Sequence, residues 1–182
     1  MPTIIEAKEA LVNRIKLRNI DLMLRPLVAE DQPFLERLNA QERGPSYADL
    51  GLSEPLLQAM LASHLKAEAD EFKAQYPERV EFLVLCQSSE IGRLVLNPEA
   101  NEFGLCLRIV DLVLLNEVRN KGIGSDLVCC VIDSARALRF TRLLAKVFGA
   151  NEGAIRLLRR VGFRQQGNAD AGVNILLMYP LP

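Results

Sequence analysis

A single histidine, His64, is all this sequence contains. A histidine-based metal centre or a Ser-His-Asp triad therefore has almost nothing to be built from, and no metal is expected. An excess of charge is missing too. Lysine and arginine number 22 against 23 acids, a net charge of -1, so neither nucleic acid nor an anionic membrane is expected as the main partner. No apolar run reaches the length of a bilayer span. The opening stretch, MPTIIEAKEALVNRIKLRNI, mixes acids and bases around no apolar segment, which predicts no secretory signal. The four cysteines, Cys86, Cys106, Cys129 and Cys130, show neither metal-ligand nor redox spacing. They read as small buried apolar residues in a reducing, cytoplasmic compartment. Internal repeats and low-complexity linkers are absent as well.

What is present suits one domain. The chain has 182 residues, 49% of them apolar and 25% charged, enough for one real core and too few for two. Residues 3–16 carry Ile4, Ile5, Leu11, Val12 and Ile15 near helical spacing and predict a short N-terminal helix. Residues 20–27 read as a strand ended by Pro26. Glu30, Asp31 and Pro33 open a helix that Gly44-Pro45 is expected to break. Ser53 caps a further helix running to Pro77, with His64 on or near its apolar side, where core-edge packing is the plainer role. Strands follow at Val80–Cys86 and Ile91–Leu96, with a turn at Asn97-Pro98. A long apolar strand spans Phe103–Leu115. A helix over 124–139, a strand over Leu143–Phe148 and a helix over Asn151–Val161, closed by Gly162, come next. Two closing strands, Phe163–Gln166 and Val173–Tyr179, complete an α/β (α+β) order around one sheet.

Between the long strand and its following helix lies RNKGIGS, residues 119–125. Its glycines let the backbone turn tightly and approach a ligand with no Cβ in the way. The first helical turn offers unpaired N–H groups and partial positive charge to an anion. The loop equally serves as a plain strand-to-helix turn. It is not a P-loop, because no lysine precedes Ser125 at the helix start. It is not the dinucleotide fingerprint, because Leu127 stands where Gly or Ala belongs.

The stretch LVLLNEVRNKGIG, Leu112–Gly124, resembles the acyl-CoA-binding motif of the GNAT superfamily of N-acetyltransferases. That pattern is an apolar strand, a turn, then R/Q-x-x-G-x-G/A at a helix start. NEGAIRLLRRVGF, residues 151–163, is similar to the family's N-x-x-A-x-x-L segment ending in Gly-Phe. Leu24-Arg25-Pro26 with Glu30-Asp31, and the tail VNILLMYPL, resemble its opening strand and last strand. The resemblance covers residues 20–182 as one GNAT-like domain, with 1–19 a helical N-terminal extension. It implies a mixed, mostly antiparallel sheet flanked by helices.

The resemblance also assigns roles. Backbone groups of Leu112, Val113 and Leu114 would hold the pantetheine arm of acetyl-CoA, the co-substrate. Amides of Asn120, Lys121, Gly122, Ile123, Gly124 and Ser125 would hold its pyrophosphate, with the Arg119 and Lys121 side chains nearby. Asn151 would bond the cofactor and also suits a helix N-cap. The Leu114 N–H would serve the thioester oxygen. The family's acid and base positions hold Leu158, Arg108 and Lys146 instead of tyrosine or glutamate, and none of these is an ordinary acid or base near pH 7. Leu158 would then line the cofactor site without taking part in proton transfer.

Substitutes are Asp111 and the hydroxyls of Tyr179 or Tyr47. Alternation places Asp111 opposite Arg108 and Leu112, and pairing with a nearby cation is its plainer role. Arg108, as a cleft residue, would favour an acceptor carrying a carboxylate or phosphate, or simply pair with Asp111 or Glu102. Glu81 would face the acceptor or solvent, and Cys106 would line the cleft or sit buried. The expected activity is acetyl transfer to a primary amine of a small molecule or peptide by direct attack. The alternative is a CoA-binding module with little catalysis. A homodimer is common in the family, though no exposed apolar stretch identifies an interface.

Overall fold

Seven strands and five helices carry the described chain, a computed structural model covering residues 3–15, 17, 19, 21–48, 53–167 and 174–181. The side chains of 14, 43–48, 54, 58, 61, 64, 65, 68 and 69 lie outside the description, and with them the expectations for Tyr47 and His64. The helices are α1 (Ile4–Arg14), α2 (Gln32–Ala48), α3 (Glu54–Gln75), α4 (Ile123–Ala137) and α5 (Glu152–Arg160). The strands are β1 (Leu22–Pro26), β2 (Val80–Cys86), β3 (Ser89–Asn101), β4 (Gly104–Leu114), β5 (Arg142–Phe148), β6 (Arg164–Gln166) and β7 (Asn174–Pro180). They form one sheet in the order β1-β2-β3-β4-β5-β7-β6. Only β4 and β5 run parallel; the other neighbours are antiparallel. The expected mixed, mostly antiparallel class is what the chain adopts.

Alternation along the strands gives the sheet two unlike faces. On one, Phe82, Leu94, Leu96, Leu107, Leu143 and Leu177 are almost completely buried. They share a core with Leu11 of α1, Leu127 and Val131 of α4, and Ile155 of α5. A capping box starts α1: Thr3 Oγ1 accepts the Glu6 N–H, and the Glu6 carboxylate accepts the Thr3 N–H at 2.7 Å. On the other face Phe34 and Leu38 of α2 pack against Leu83, Val113 and Leu115. Among the described residues no helix is long and apolar enough to cross a membrane. No cluster there has the three or more His, Cys, Asp or Glu side chains to hold a metal ion.

Two expected breaks are not breaks. Gly44-Pro45 lies inside α2, which continues to Ala48. Pro45 removes one N–H donor near the last turn, a loss the helix survives. Asn97-Pro98 lies inside β3, and the turn comes after Asn101. The β2 register ends at Val80↔Leu96, so Pro98 falls where β3 has outrun β2. A missing N–H costs no bond on that open side.

Arg25 of β1 and Asp31, just before α2, form a two-pronged ion pair at 2.6 and 2.7 Å. Asp31 is 3% exposed and also accepts the Val28 N–H at 2.9 Å. The guanidinium bond, then the backbone bond, hold its carboxyl below the usual value against the opposing effect of burial. A depressed folded pKa stabilises above the unfolded value, about 3.9, and that stability is lost as pH falls through the folded one. Asp31→Asn should therefore cost about 2 kcal/mol at pH 7. It should also flatten the loss of melting temperature below about pH 4. Parallel melting curves at pH 7 and pH 3 would check both.

Candidate active site

Parallel pairing of β4 with β5 runs from Cys106↔Arg142 to Ile109↔Ala145 and stops there. Beyond it β4 continues to Leu114 paired only with β3, and β5 continues to Phe148 paired only with β7. The sheet thus opens as a V whose apex lies at Ile109 and Ala145. A bulge marks the same place. Asp111 pairs with Val95 and Ile109 with Leu96, which leaves Val110 with no partner of its own on β3. The V is a cleft of about 490 Å³, walled by 109–114 of β4, 145–148 of β5, the 119–120 loop and start of α4, and α5 from Gly153 to Arg160, with Glu42 of α2 also lining it.

Backbone direction along β4 follows from one bond. Leu115 N–H donates to Ile91 O at 2.9 Å, so by alternation the amides of Val113 and Leu115 point to β3. Those of Leu112 and Leu114 point into the cleft. The Leu114 carbonyl faces the same way and accepts Arg119 Nε at 2.8 Å. At the far end of the cleft, Gly122 begins α4 with φ +87°, where a side chain is strained, and a Cβ on it would meet nothing within 4 Å. Ser125 and Asp126 donate to the Gly122 carbonyl. The amides of Gly122, Ile123 and Gly124 are left as first-turn donors without an intrahelical acceptor. Gly124 allows α5 to come close, since its Cβ would lie 2.8 Å from Leu157 Cδ1. Arg160 of α5 reaches the same turn, Nη2 donating to Ser125 Oγ at 2.6 Å. Asn151 lines the cleft and caps α5, its Oδ1 accepting the Ala154 N–H at 3.0 Å.

A second cavity of about 360 Å³ lies on the other side of the apex. Glu71, Phe72, Gln75 and Tyr76 of α3 and its C-terminus face Arg108 and Asn174 across it. The two cavities share Ile109, Val110 and Lys146.

The acetyltransferase (GNAT) domain family matches residues 21–164. The chain belongs to the GNAT acetyltransferase family. Among solved structures, this GNAT chain is similar to RimL, a ribosomal alpha-N-protein acetyltransferase in complex with coenzyme A. Identity is 18% over 92% of this chain and 97% of that one, with a TM-score of 0.63. An acetyltransferase from Thermus thermophilus is 21% identical over 89% of this chain and 98% of its own, TM-score 0.63. PaiA N-acetyltransferase from Thermoplasma acidophilum, in complex with coenzyme A, is 17% identical over 88% and 99%, TM-score 0.63. No match was found among curated protein sequences.

The GNAT fold gathers most of the residues expected at the cofactor into one cleft and places a few of them differently. Arg119 is spent partly on Leu114 O, and Lys121 is exposed outside the cleft walls. Val113 directs its amide to β3 and buries its side chain under α2. Leu158 is 5% exposed and packs between core and cleft. Leu114 presents its amide to the cleft but lies beside α4, about 13 Å along β4 from Val110 at 3.3 Å per residue. The outward amide nearest the apex is instead that of Leu112.

The acid-base candidates fare differently. The Val110 bulge shifts the alternation, so Asp111 lies opposite Leu112 as expected but shares the face of Arg108, where strict alternation places it opposite. Its Oδ2 accepts Arg93 Nη2 at 2.6 Å and Nε at 3.1 Å. Tyr179 pairs with Leu143 on the core face and packs a tilted ring against Phe163, centroids 5.5 Å apart. It lines neither cavity, so its hydroxyl is out of place for an acid. Glu81 accepts Arg79 Nε at 2.7 Å and lines neither cavity either. Arg108 lines the second cavity but is held by both oxygens of Glu99 at 2.7 Å, which raises its already high pKa despite burial. Cys106 is fully buried with Leu144 and Met178. Arg160, Tyr76 and Glu71 were not singled out from sequence. Arg156 and Arg160 stand four apart on α5, a spacing that places them on one helix face. For Tyr76 and Glu71 the sequence offers no such signal.

Proposed function

We propose that the chain transfers an acetyl group from acetyl-CoA to a primary amine by direct attack, with no covalent enzyme intermediate. One observation carries the reading. The cleft that fits an acyl-CoA and the cavity beyond it have three lining residues in common, Ile109, Val110 and Lys146, so an amine in one and a thioester in the other would lie side by side there.

The residues present fit the co-substrate. The cleft has outward amides on Leu112 and Leu114 for an extended arm, a helix N-terminus for a pyrophosphate, and open space in front of Gly122. Acetyl-CoA supplies an activated carbonyl carbon, and the amine supplies the electron pair. Nitrogen bonds to that carbon, the C–S bond breaks, sulfur leaves with its pair, and the proton lost by nitrogen matches the one gained by sulfur. The chain's own contribution is positioning and a donor for the carbonyl oxygen. The Leu112 amide is best disposed for the latter. With Asp111 and Glu81 both paired to arginines, water takes the amine proton in this scheme. The same pairing, with Leu158 in the tyrosine position, is what favours the alternative of a CoA-binding module.

Thiol release from acetyl-CoA in the presence of an amine panel separates the two. Transfer should exceed the amine-free rate. With the amine proton going to water and not to a side-chain base, which would contribute roughly 10²–10⁴-fold, kcat/KM should climb with pH toward the acceptor's own pKa, about 10 for an alkyl amine. No transfer to any amine by protein that binds acetyl-CoA would leave the module reading.

A further inference from the structure

Of the three residues common to both cavities, only Lys146 is charged. It is the first β5 residue past the end of the β4–β5 pairing, on the face that Leu144 shares with Arg108. Three arginines on that face have carboxylates: Arg79 has Glu81 at 2.7 Å, Arg93 has Asp111 at 2.6 Å, and Arg108 has Glu99 at 2.7 Å; a fourth, Arg142 at the other end of β5, lies over the Phe103 ring at 4.3 Å and donates to Met178 Sδ. Lys146 has no ion-pair partner among the described residues. The anions of the co-substrate belong at the α4 N-terminus, the opposite end of the cleft, so they do not answer this charge.

The sign of that charge constrains the acceptor. An ammonium beside Lys146 is repelled, which favours the neutral amine that attack requires. A second positive charge elsewhere on a small acceptor is repelled as well. A carboxylate near the reacting amine is attracted, and a lysine ammonium suits it as a rotatable point charge. Glu71 lines only the outer cavity, from α3, and so acts on the acceptor's far end. We propose that the acceptor is an amino carboxylate, with Lys146 Nζ holding its carboxylate at the apex. This rests on the transferase reading above.

The test compares matched acceptors with the full-length protein: glycine and β-alanine, their amides, and a simple diamine. Initial rates of thiol release give kcat/KM for each, expressed per neutral amine because an amide's amine is less basic than that of the parent acid. The acids should exceed their amides by about tenfold or more, as one charge-assisted contact implies. Lys146→Met should erase that ratio mainly through the KM of the acid, Lys146→Arg should retain part of it, and Lys146→Glu should turn the preference toward the diamine. The ratio is internal to each variant, so a change in overall activity does not blur it. Acids and amides used equally, a diamine preferred by the unaltered protein, or an acid preference that survives Lys146→Met would overturn the inference while leaving transfer intact. No transfer to any amine by protein that binds acetyl-CoA would instead remove the transferase reading, and the inference with it.

Discussion

Acetyl-CoA should raise the melting temperature of the unaltered protein and leave that of Gly122→Trp unmoved. A ligand that binds only the folded state at about 100 times its Kd stabilises by about 2.7 kcal/mol. For a chain of this size that is a shift of roughly 5–10 °C, at about 2–4 °C per kcal/mol. Gly122 is the position to block because a Cβ there meets nothing within 4 Å. A tryptophan can therefore occupy the space in front of the free amides of α4 without displacing the core. The variant should itself melt a few degrees lower, because φ of +87° costs an L side chain about 1–2 kcal/mol. Its own ligand-free curve is the baseline. A full shift in the variant would mean that the loop is only a turn and that acetyl-CoA binds elsewhere. No shift in the unaltered protein would remove the acyl-CoA reading altogether.

The residues that wall the cleft were legible because they are local. The glycines at 122 and 124, the cap at Asn151 and the apolar run of β4 each sit next to the residues they serve, and backbone amides need no particular side chain. The residues around the second cavity were not, because their placement depends on long-range register and on helix rotation. One extra residue at Val110 reverses the face of everything after it, which is why strict alternation misplaced Asp111. Tyr179 was misjudged for a related reason. Its face is set by pairing with Leu143, and nothing near it in sequence records that pairing. Tyr76 and Glu71 reach the second cavity through the placement of α3. Proline and glycine misled twice, at 45 and 98, where the lost N–H lay near a helix end and on an unpaired strand side.

Gly92→Ala should be among the most damaging single-methyl changes available, and it tests whether β3 positions the cleft. A Cβ at Gly92 would lie 2.3 Å from Val113 O and 3.2 Å from Leu114 Cα. Both are backbone atoms, so relief requires β4 itself to move. Overpacking of this kind costs about 3 kcal/mol, a fall of roughly 6–12 °C in melting temperature. Leu114 is the residue displaced, and its carbonyl is tied to Arg119 while its amide faces the cleft. Acetyl-CoA affinity should therefore fall together with stability, by about tenfold for each 1.4 kcal/mol of lost binding. Gly124→Ala is the matched control. Its Cβ meets the end of the Leu157 side chain at 2.8 Å, which can rotate away, and alanine suits a helix better than glycine by about 1 kcal/mol. Stability should change little there. If Gly92→Ala melts with the unaltered protein, β3 does not set the position of β4, and the cleft owes its shape to α4 and α5 alone.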